Sequence, residues 1–160
     1  MDAALLRGGA ESKIRVTLMS ASTKGIYVLL IQLDVASNIQ AGKRRFHLDS
    51  GFYGYVGSAL SGLERRLTRH LRTDKRFHWH IDYLLAVARI NKIICGETGK
   101  SKECALARIF SQKLKPINGF GCSDCRCKSH LFFSEDQRIL EYLTLDAFKS
   151  LDLHPFVYPK

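Results

Sequence analysis

No stretch of this sequence approaches the roughly 20 consecutive apolar residues that a membrane-spanning helix needs. The first ten residues carry an acid at Asp2, and their only apolar run, residues 3–6, is too short for a signal peptide. The sequence also lacks internal repeats and low-complexity tracts. We therefore expect a cytoplasmic protein with no membrane partner.

Acidic residues are in deficit: 15 Asp and Glu stand against 25 Lys and Arg, which gives a formal net charge of +10. Such an excess favours polyanionic partners through long-range attraction, with nucleic acid first, although a basic surface also serves an anionic membrane or solubility alone. At 160 residues with 46% hydrophobic content, the chain is long enough for one domain with a core. We expect a loose extension over residues 1–20 and a single domain over residues 21–160 with a helical C-terminal elaboration.

Cysteines are few and odd in number, five in all. In a chain that we expect inside the cell, this count favours reduced thiols or a metal site over disulfides. Two interpretations stay open, packed reduced thiols and a zinc site. The thiols and imidazole within nine residues are Cys122, Cys125, Cys127 and His130, with Cys104 upstream. The zinc ligands would be Cys104, Cys125, Cys127 and His130, and a zinc-stabilised interaction domain is one hypothesis for the chain.

Two strand-like runs, Gly25 to Leu33 and Gly51 to Gly57, are rich in β-branched, aromatic and other apolar residues. In the second run, the period of two places Tyr53 and Tyr55 on one face of the strand. Between the runs, residues 37–41 and 45–48 flank a basic turn and predict a hairpin. The prediction is an α/β fold of the α+β type, with a small, mostly antiparallel sheet, an added hairpin and flanking helices.

Ser61 and Glu64 have the spacing of a capping box, which predicts a helix that begins near Gly62. Its expected apolar face is Leu63, Leu67 and Leu71, at helical spacing. Further predicted elements are helices over about 79–88 and 101–114, one or two helices over 135–151, a strand over 90–95 and an edge strand over 131–133. Ser134 is the expected cap of the last helix, and residues 154–155 its expected end.

The tripeptides Gly25-Ile26-Tyr27 and Tyr55-Val56-Gly57, with an arginine ten residues beyond Tyr55, resemble the two motifs that name the GIY-YIG nuclease superfamily. Segments 54–60, 69–71, 78–85 and 123–132 are similar to one archaeal and bacterial branch of it, whose members are sometimes fused to an endonuclease III-type glycosylase. The resemblance covers roughly residues 24–133. It implies a metal-dependent endonuclease that acts on DNA in preference to RNA, with DNA repair suggested by association.

The resemblance also implies roles for individual residues. Tyr27 would be the general base or orient the attacking water, and Tyr55 would hydrogen-bond the phosphate or that water. Arg65 would stabilise charge on the pentavalent phosphorus, and Glu103 would hold one Mg²⁺ or Mn²⁺ ion, with Glu97 as second candidate. The further catalytic candidates are Arg69, His70, His78 and His80.

The same residues also have purely structural interpretations. The tyrosines suit amphipathic strands, Arg65 suits a solvated helix, and Asp82 suits a helix cap next to partly buried histidines. Ser58 stands where some superfamily members have lysine, and Asn118 is offset from a similar asparagine, so a non-catalytic nucleic-acid-binding module is the alternative function. The expected nucleic-acid-binding cations are Lys43, Arg44, Arg45, Arg66, Arg72 and Arg76.

Overall fold

A computed structural model describes residues 19–160, so nearly all of the predicted N-terminal extension lies outside the described part. In residues 19–160 the strands are β1 (Gly25–Leu33), β2 (Ser37–Ala41), β3 (Arg44–Leu48), β4 (Gly51–Ala59), β5 (Arg89–Glu97), β6 (Lys115–Pro116), β7 (Leu131–Ser134) and β8 (Pro155–Val157). The helices of the same part are α1 (Leu63–Leu71), α2 (His80–Leu85), α3 (Glu103–Lys113) and α4 (Gln137–Ser150).

Six of the strands in residues 19–160 form one antiparallel sheet in the order β6-β7-β4-β1-β5-β8, and β2 and β3 pair separately as the predicted hairpin. The α+β prediction is confirmed. β1 is the innermost long strand, paired with β4 on one side and β5 on the other. Its nearly unbroken apolar sequence follows from this position, because both of its faces are buried.

Each face of the sheet has its own apolar core. Alternate residues of β1, such as Leu29 and Ile31, pack on one face with α1, α2 and the hairpin. The intervening residues, such as Val28 and Leu30, pack on the other face with α3 and α4. The sheet therefore separates the helices into two layers, and a residue's parity along a strand decides which layer it meets.

The predicted start of α1 is right, but its predicted cap is wrong. Gly62 precedes the helix with a φ of 131°, and no side chain caps it, so the Ser61–Glu64 capping box is absent. Instead, the Leu63 N–H donates to the Thr23 carbonyl at 2.7 Å, because the loop before β1 runs past this helix end. The buried face is also different: His70 is buried and Leu71 is 36% exposed.

Other differences lie at short or peripheral elements. α2 ends at Leu85, earlier than predicted, and β7 is not an edge strand because the two-residue strand β6 pairs with it. Residues 155–157, expected to lie beyond the last helix, add β8 to the edge of β5. Asp136, rather than Ser134, caps α4 by accepting a hydrogen bond from the Arg138 N–H.

Candidate functional site

Tyr27, near the start of β1, and Tyr55, in the middle of β4, lie on the same face of the sheet. Antiparallel pairing places Tyr27 opposite Gly57 and Leu29 opposite Tyr55, so the two tyrosines are diagonal neighbours. A Cβ at residue 57 would overlap the phenol ring of Tyr27, which explains the glycine after Val56. The strand pairing thus brings together the two tyrosines that the sequence singled out.

The arginine that joins these tyrosines is Arg66 rather than the predicted Arg65. Arg66 lines a pocket with both tyrosines, whereas Arg65 is exposed and lies outside that pocket. Arg66 Nη1 donates to the Ser58 carbonyl at 2.9 Å, and its guanidinium lies 4.6 Å from the centre of the Trp79 ring. The cation is therefore held in place from two sides.

His70 joins the same pocket through Tyr27. The Tyr27 hydroxyl and His70 Nε2 are 2.7 Å apart, and both side chains are buried. Burial, with the nearby cations of Lys75 and Arg66, lowers the pKa of His70 to about 3, so its ring is neutral at pH 7. Burial also raises the pKa of Tyr27 above its usual value of 10, although Arg66 opposes that rise.

Glu103, the first residue of α3, reaches the pocket from the other layer of the fold. Ser58 Oγ donates to Glu103 Oε1 at 2.7 Å, and His130 Nδ1 lies 2.8 Å from Glu103 Oε2. Burial alone would raise the pKa of Glu103, but these contacts with His130 and Ser58 hold it below its usual range. The pocket therefore contains an ionised, oriented carboxylate.

Arg69 is paired with the carboxylate of Asp82, close to Trp79. Asp82 is fully buried, and its carboxylate accepts hydrogen bonds from both terminal nitrogens of Arg69 at 3.0 and 2.9 Å. It also accepts hydrogen bonds from the backbone N–H groups of His78 and Trp79. Burial alone would raise the pKa of Asp82, but the Arg69 and backbone hydrogen bonds lower it to about 2. The capping interpretation of Asp82 is confirmed.

The two candidate histidines of this segment do not converge. His78 is exposed beside Trp79, whereas His80 Nδ1 accepts a hydrogen bond from the Gly121 N–H at 2.9 Å. Neither lines the pocket of Tyr27 and Tyr55. His78 precedes α2, whose first residue is His80, and the two side chains have different surroundings outside the candidate site.

A cluster of thiols lies directly behind Glu103. One donor atom from each ligand candidate falls within 4.8 Å of the others. Cys122 is outside this group, and its sulfur lies 3.7 Å from the Lys128 carbonyl. All five cysteines are free thiols. The clustered residues are Cys104, Cys125, Cys127 and His130.

A family model described as domain of unknown function DUF123 matches residues 26–153. The chain belongs to the DUF123 family. The match includes both the tyrosine pocket and the thiol cluster, so each lies inside the DUF123 region. No curated protein and no solved structure matches the chain.

Several residues predicted to bind nucleic acid or to complete the site lie outside the tyrosine pocket. Lys43, Arg44 and Arg45 are exposed at the hairpin, and neither Glu97 nor Asn118 lines the tyrosine pocket. Arg72 lines a neighbouring groove. Arg76 is exposed, and its carbonyl accepts a hydrogen bond from Arg69. Within residues 19–160, every helix is too short or too polar to cross a membrane.

Two pocket residues received no role from the sequence. Asp124 is an exposed acid of the loop between β6 and β7, and it lines the pocket. Trp79 supports the guanidinium groups of both Arg66 and Arg69, at 4.6 and 4.3 Å from its ring centre. Both contacts depend on tertiary packing, so no local sequence signal points to them.

Proposed function

We propose that this chain is a metal-dependent endonuclease of the GIY-YIG type that hydrolyses nucleic acid, DNA in preference to RNA. The main support is a pocket of about 650 Å³ lined by Tyr27, Tyr55, Arg66, His70 and Glu103. Phosphodiester hydrolysis requires a proton acceptor for water, a cation for the developing charge and a place for a metal ion. This pocket offers a residue suited to each of these tasks.

Arg66 is the proposed stabiliser of the pentavalent phosphorus. One of its terminal nitrogens is occupied by the Ser58 carbonyl, which leaves further N–H donors for phosphate oxygens. Its contact with Trp79 restricts the side chain before substrate arrives. A donor that is already oriented stabilises transition-state charge without reorganising during the reaction.

Tyr27 and His70 are the proposed route for the proton of the attacking water. As the water approaches phosphorus, its proton passes to the Tyr27 oxygen while the Tyr27 proton passes to His70 Nε2, 2.7 Å away. The cations that lower the pKa of His70 include Arg66. A bound phosphodiester would offset that positive charge and make His70 a stronger base. Tyr55, at the same pocket wall, would hydrogen-bond the phosphate.

Glu103 fits a divalent ion such as Mg²⁺ or Mn²⁺. The carboxylate lines the pocket in its ionised form, and these ions accept one or two protein carboxylates while keeping several waters. When bound, the ion would neutralise charge on the leaving side of the phosphate. The exposed carboxylate of Asp124 lines the same pocket and is the second acidic group available to it.

A groove of about 750 Å³ continues from this pocket along α1, and we assign it to the nucleic-acid backbone. Its wall includes Arg65 and Arg72, and it shares Ser61, Arg66 and Trp79 with the pocket. Guanidinium groups suit phosphates, and an aromatic ring suits an unstacked base. Since no helix within residues 19–160 offers an obvious base-reading face, we expect sequence-tolerant, salt-sensitive binding.

A non-catalytic nucleic-acid-binding module is the second candidate, and one observation favours it. Both oxygens of Glu103 already have protein partners, Ser58 and His130, which compete with a metal ion. The groove along α1 would serve such a module equally well. The cytoplasmic location and the role in DNA repair are further parts of the nuclease proposal.

The test compares Arg66→Ala with Arg65→Ala, because these neighbours lose the same charge but only Arg66 lines the pocket. Purified variants are incubated with labelled single-stranded, duplex, flap and junction DNA, and matching RNA, with Mg²⁺, Mn²⁺ or EDTA. The nuclease proposal expects metal-dependent cleavage that Arg66→Ala lowers by roughly 100-fold or more and Arg65→Ala leaves within about tenfold. Binding without cleavage in every condition would support the binding module instead.

A further inference from the structure

The thiol cluster behind Glu103 carries an inference that goes beyond the proposed nuclease and does not depend on it. We propose that Cys104, Cys125, Cys127 and His130 bind one structural zinc ion that joins the first turn of α3 to the loop between β6 and β7. Three thiolates and one imidazole form a ligand set that structural zinc sites use.

The distances within the cluster suit a tetrahedral ion. Cys125 Sγ and His130 Nε2 are 3.6 Å apart, and all four donor atoms lie within 4.8 Å of one another. Zinc bonds of about 2.3 Å to sulfur and 2.0 Å to nitrogen give tetrahedral edges of about 3.5–3.8 Å. The ligands are therefore close to their bound positions, and small rotations of the side chains complete the site.

Two elements supply the ligands, which removes the crowding that a single short loop would impose. Cys104 lies in the first turn of α3, while the other two thiols come from the loop and His130 directly precedes β7. The loop backbone is also fixed near the cluster, since the His130 N–H donates to the Phe120 carbonyl at 2.8 Å. A zinc ion at this point would link two segments that lie about 20 residues apart in sequence.

The imidazole of His130 has the environment that a metal-bound histidine usually has. Its Nε2 points toward Cys125 Sγ, and its other nitrogen lies 2.8 Å from Glu103 Oε2. This contact has the distance of an ion pair without the geometry of a hydrogen bond, and a carboxylate beside that nitrogen favours the proton there and leaves the other nitrogen free to bind metal. Packed reduced thiols require no such carboxylate, so this contact favours the metal site.

Metal content tests the proposal, with Cys122→Ser as the matched control for Cys127→Ser. Cys122 belongs to the same loop but lies outside the cluster. Protein purified without chelator should contain about one zinc per chain in the parent and in Cys122→Ser, and much less in Cys127→Ser. His130→Cys should keep its zinc, because four thiolates also form a tetrahedral site. Equal loss of zinc in Cys122→Ser and Cys127→Ser would overturn the proposal.

A second measurement needs no variant and therefore does not depend on a variant's folding. The parent is stripped with a chelator and titrated with Co²⁺ and then Zn²⁺, while its visible absorption is recorded. We expect the d–d bands of tetrahedral cobalt with thiolate charge transfer, lost when Zn²⁺ displaces Co²⁺. Trypsin should also cleave after Arg126 and Lys128 at least about tenfold faster in stripped protein. An octahedral cobalt spectrum, or equal cleavage with and without zinc, would refute the proposal.

Discussion

Replacing Asp82 with asparagine should remove about 1 kcal/mol of the stability that this fold loses between pH 6 and pH 3. The carboxylate is fully buried, and it binds the Arg69 guanidinium through both oxygens. Its oxygens also lie near Lys75 Nζ and accept the N–H groups of two residues before α2, one of which is Trp79. The folded protein therefore holds the charged form of this acid far more strongly than the unfolded chain does.

The magnitude follows from the pKa. The structure lowers the pKa of Asp82 from its usual 3.8 to about 2. At about 1.36 kcal/mol for each pKa unit, the charged carboxylate contributes about 2 kcal/mol to the free energy of unfolding. Because the folded pKa is the lower one, this contribution is complete above about pH 5 and is lost as pH falls toward 2, with about 1 kcal/mol lost by pH 3.

Urea unfolding of the parent and Asp82→Asn at pH 6 and pH 3 measures this difference. Between these pH values the parent should lose about 1 kcal/mol more than the variant, because the other carboxyl groups titrate alike in both proteins. At pH 6 the variant should be the less stable protein, since it leaves the cation of Arg69 without its anion. The same pH dependence in both proteins would refute the reasoning.

Three further predictions concern the pocket and the groove. Gly57→Ala should lower the free energy of unfolding by about 1–3 kcal/mol, because a Cβ at residue 57 overlaps Tyr27. The control, Gly99→Ala, should not lower it, because the space around Gly99 is open. Urea unfolding of both variants measures the difference. Tyr27→Phe removes the hydroxyl that pairs with His70 Nε2. We expect this variant to bind DNA within about threefold of the parent, measured by filter binding, but to have lost cleavage in a nuclease assay. Unchanged cleavage would contradict the proposed proton route. DNA affinity should fall about a hundredfold between 50 and 200 mM salt if about four phosphates are neutralised, and a salt-independent affinity would argue against the groove along α1.

The parts of the fold that local pattern controls could be predicted from the sequence. The alternation in β4 indicates the correct faces for Tyr53 and Tyr55, and the hairpin around Gly42 lies where the turn residues indicate. Successive side chains of a strand point to opposite faces, so two residues that are two positions apart share a face. The shared face of these two tyrosines therefore requires no knowledge of tertiary packing.

The choice between Arg65 and Arg66 shows where spacing stops being sufficient. Adjacent residues on an α-helix point about 100° apart, so an error of one position changes which face carries the cation. Gly62, at a φ of 131°, stands between β4 and α1 and sets how the helix begins. A count of residues from Tyr55 takes no account of that local geometry. It therefore selected Arg65, the exposed neighbour of Arg66.

The thiol cluster could be predicted only as one of two alternatives, and the short strands could not be predicted at all. The four residues of the zinc alternative do lie together, but spacing within the loop does not show that Cys104 joins the loop cysteines once α3 has packed against the sheet. β6 has two residues and β8 has three, too few to produce a recognisable alternation. Both features depend on long-range packing rather than on local propensity.

The position of Glu103 connects the two candidate sites and explains why the pocket lies at this end of the sheet. Side chains of β4 alternate between the layers, so Tyr55 lies in the layer of α1 while Val56 lies in the layer of α3. Ser58 has the parity of Val56, and it meets Glu103 where the strand is about to end at Ala59. A carboxylate from the α3 layer can enter a pocket of the α1 layer only past such a strand end, since elsewhere the sheet separates the layers. Anchoring of the first turn of α3 by the proposed zinc ion would therefore fix an acidic group that reaches the tyrosines from the opposite layer.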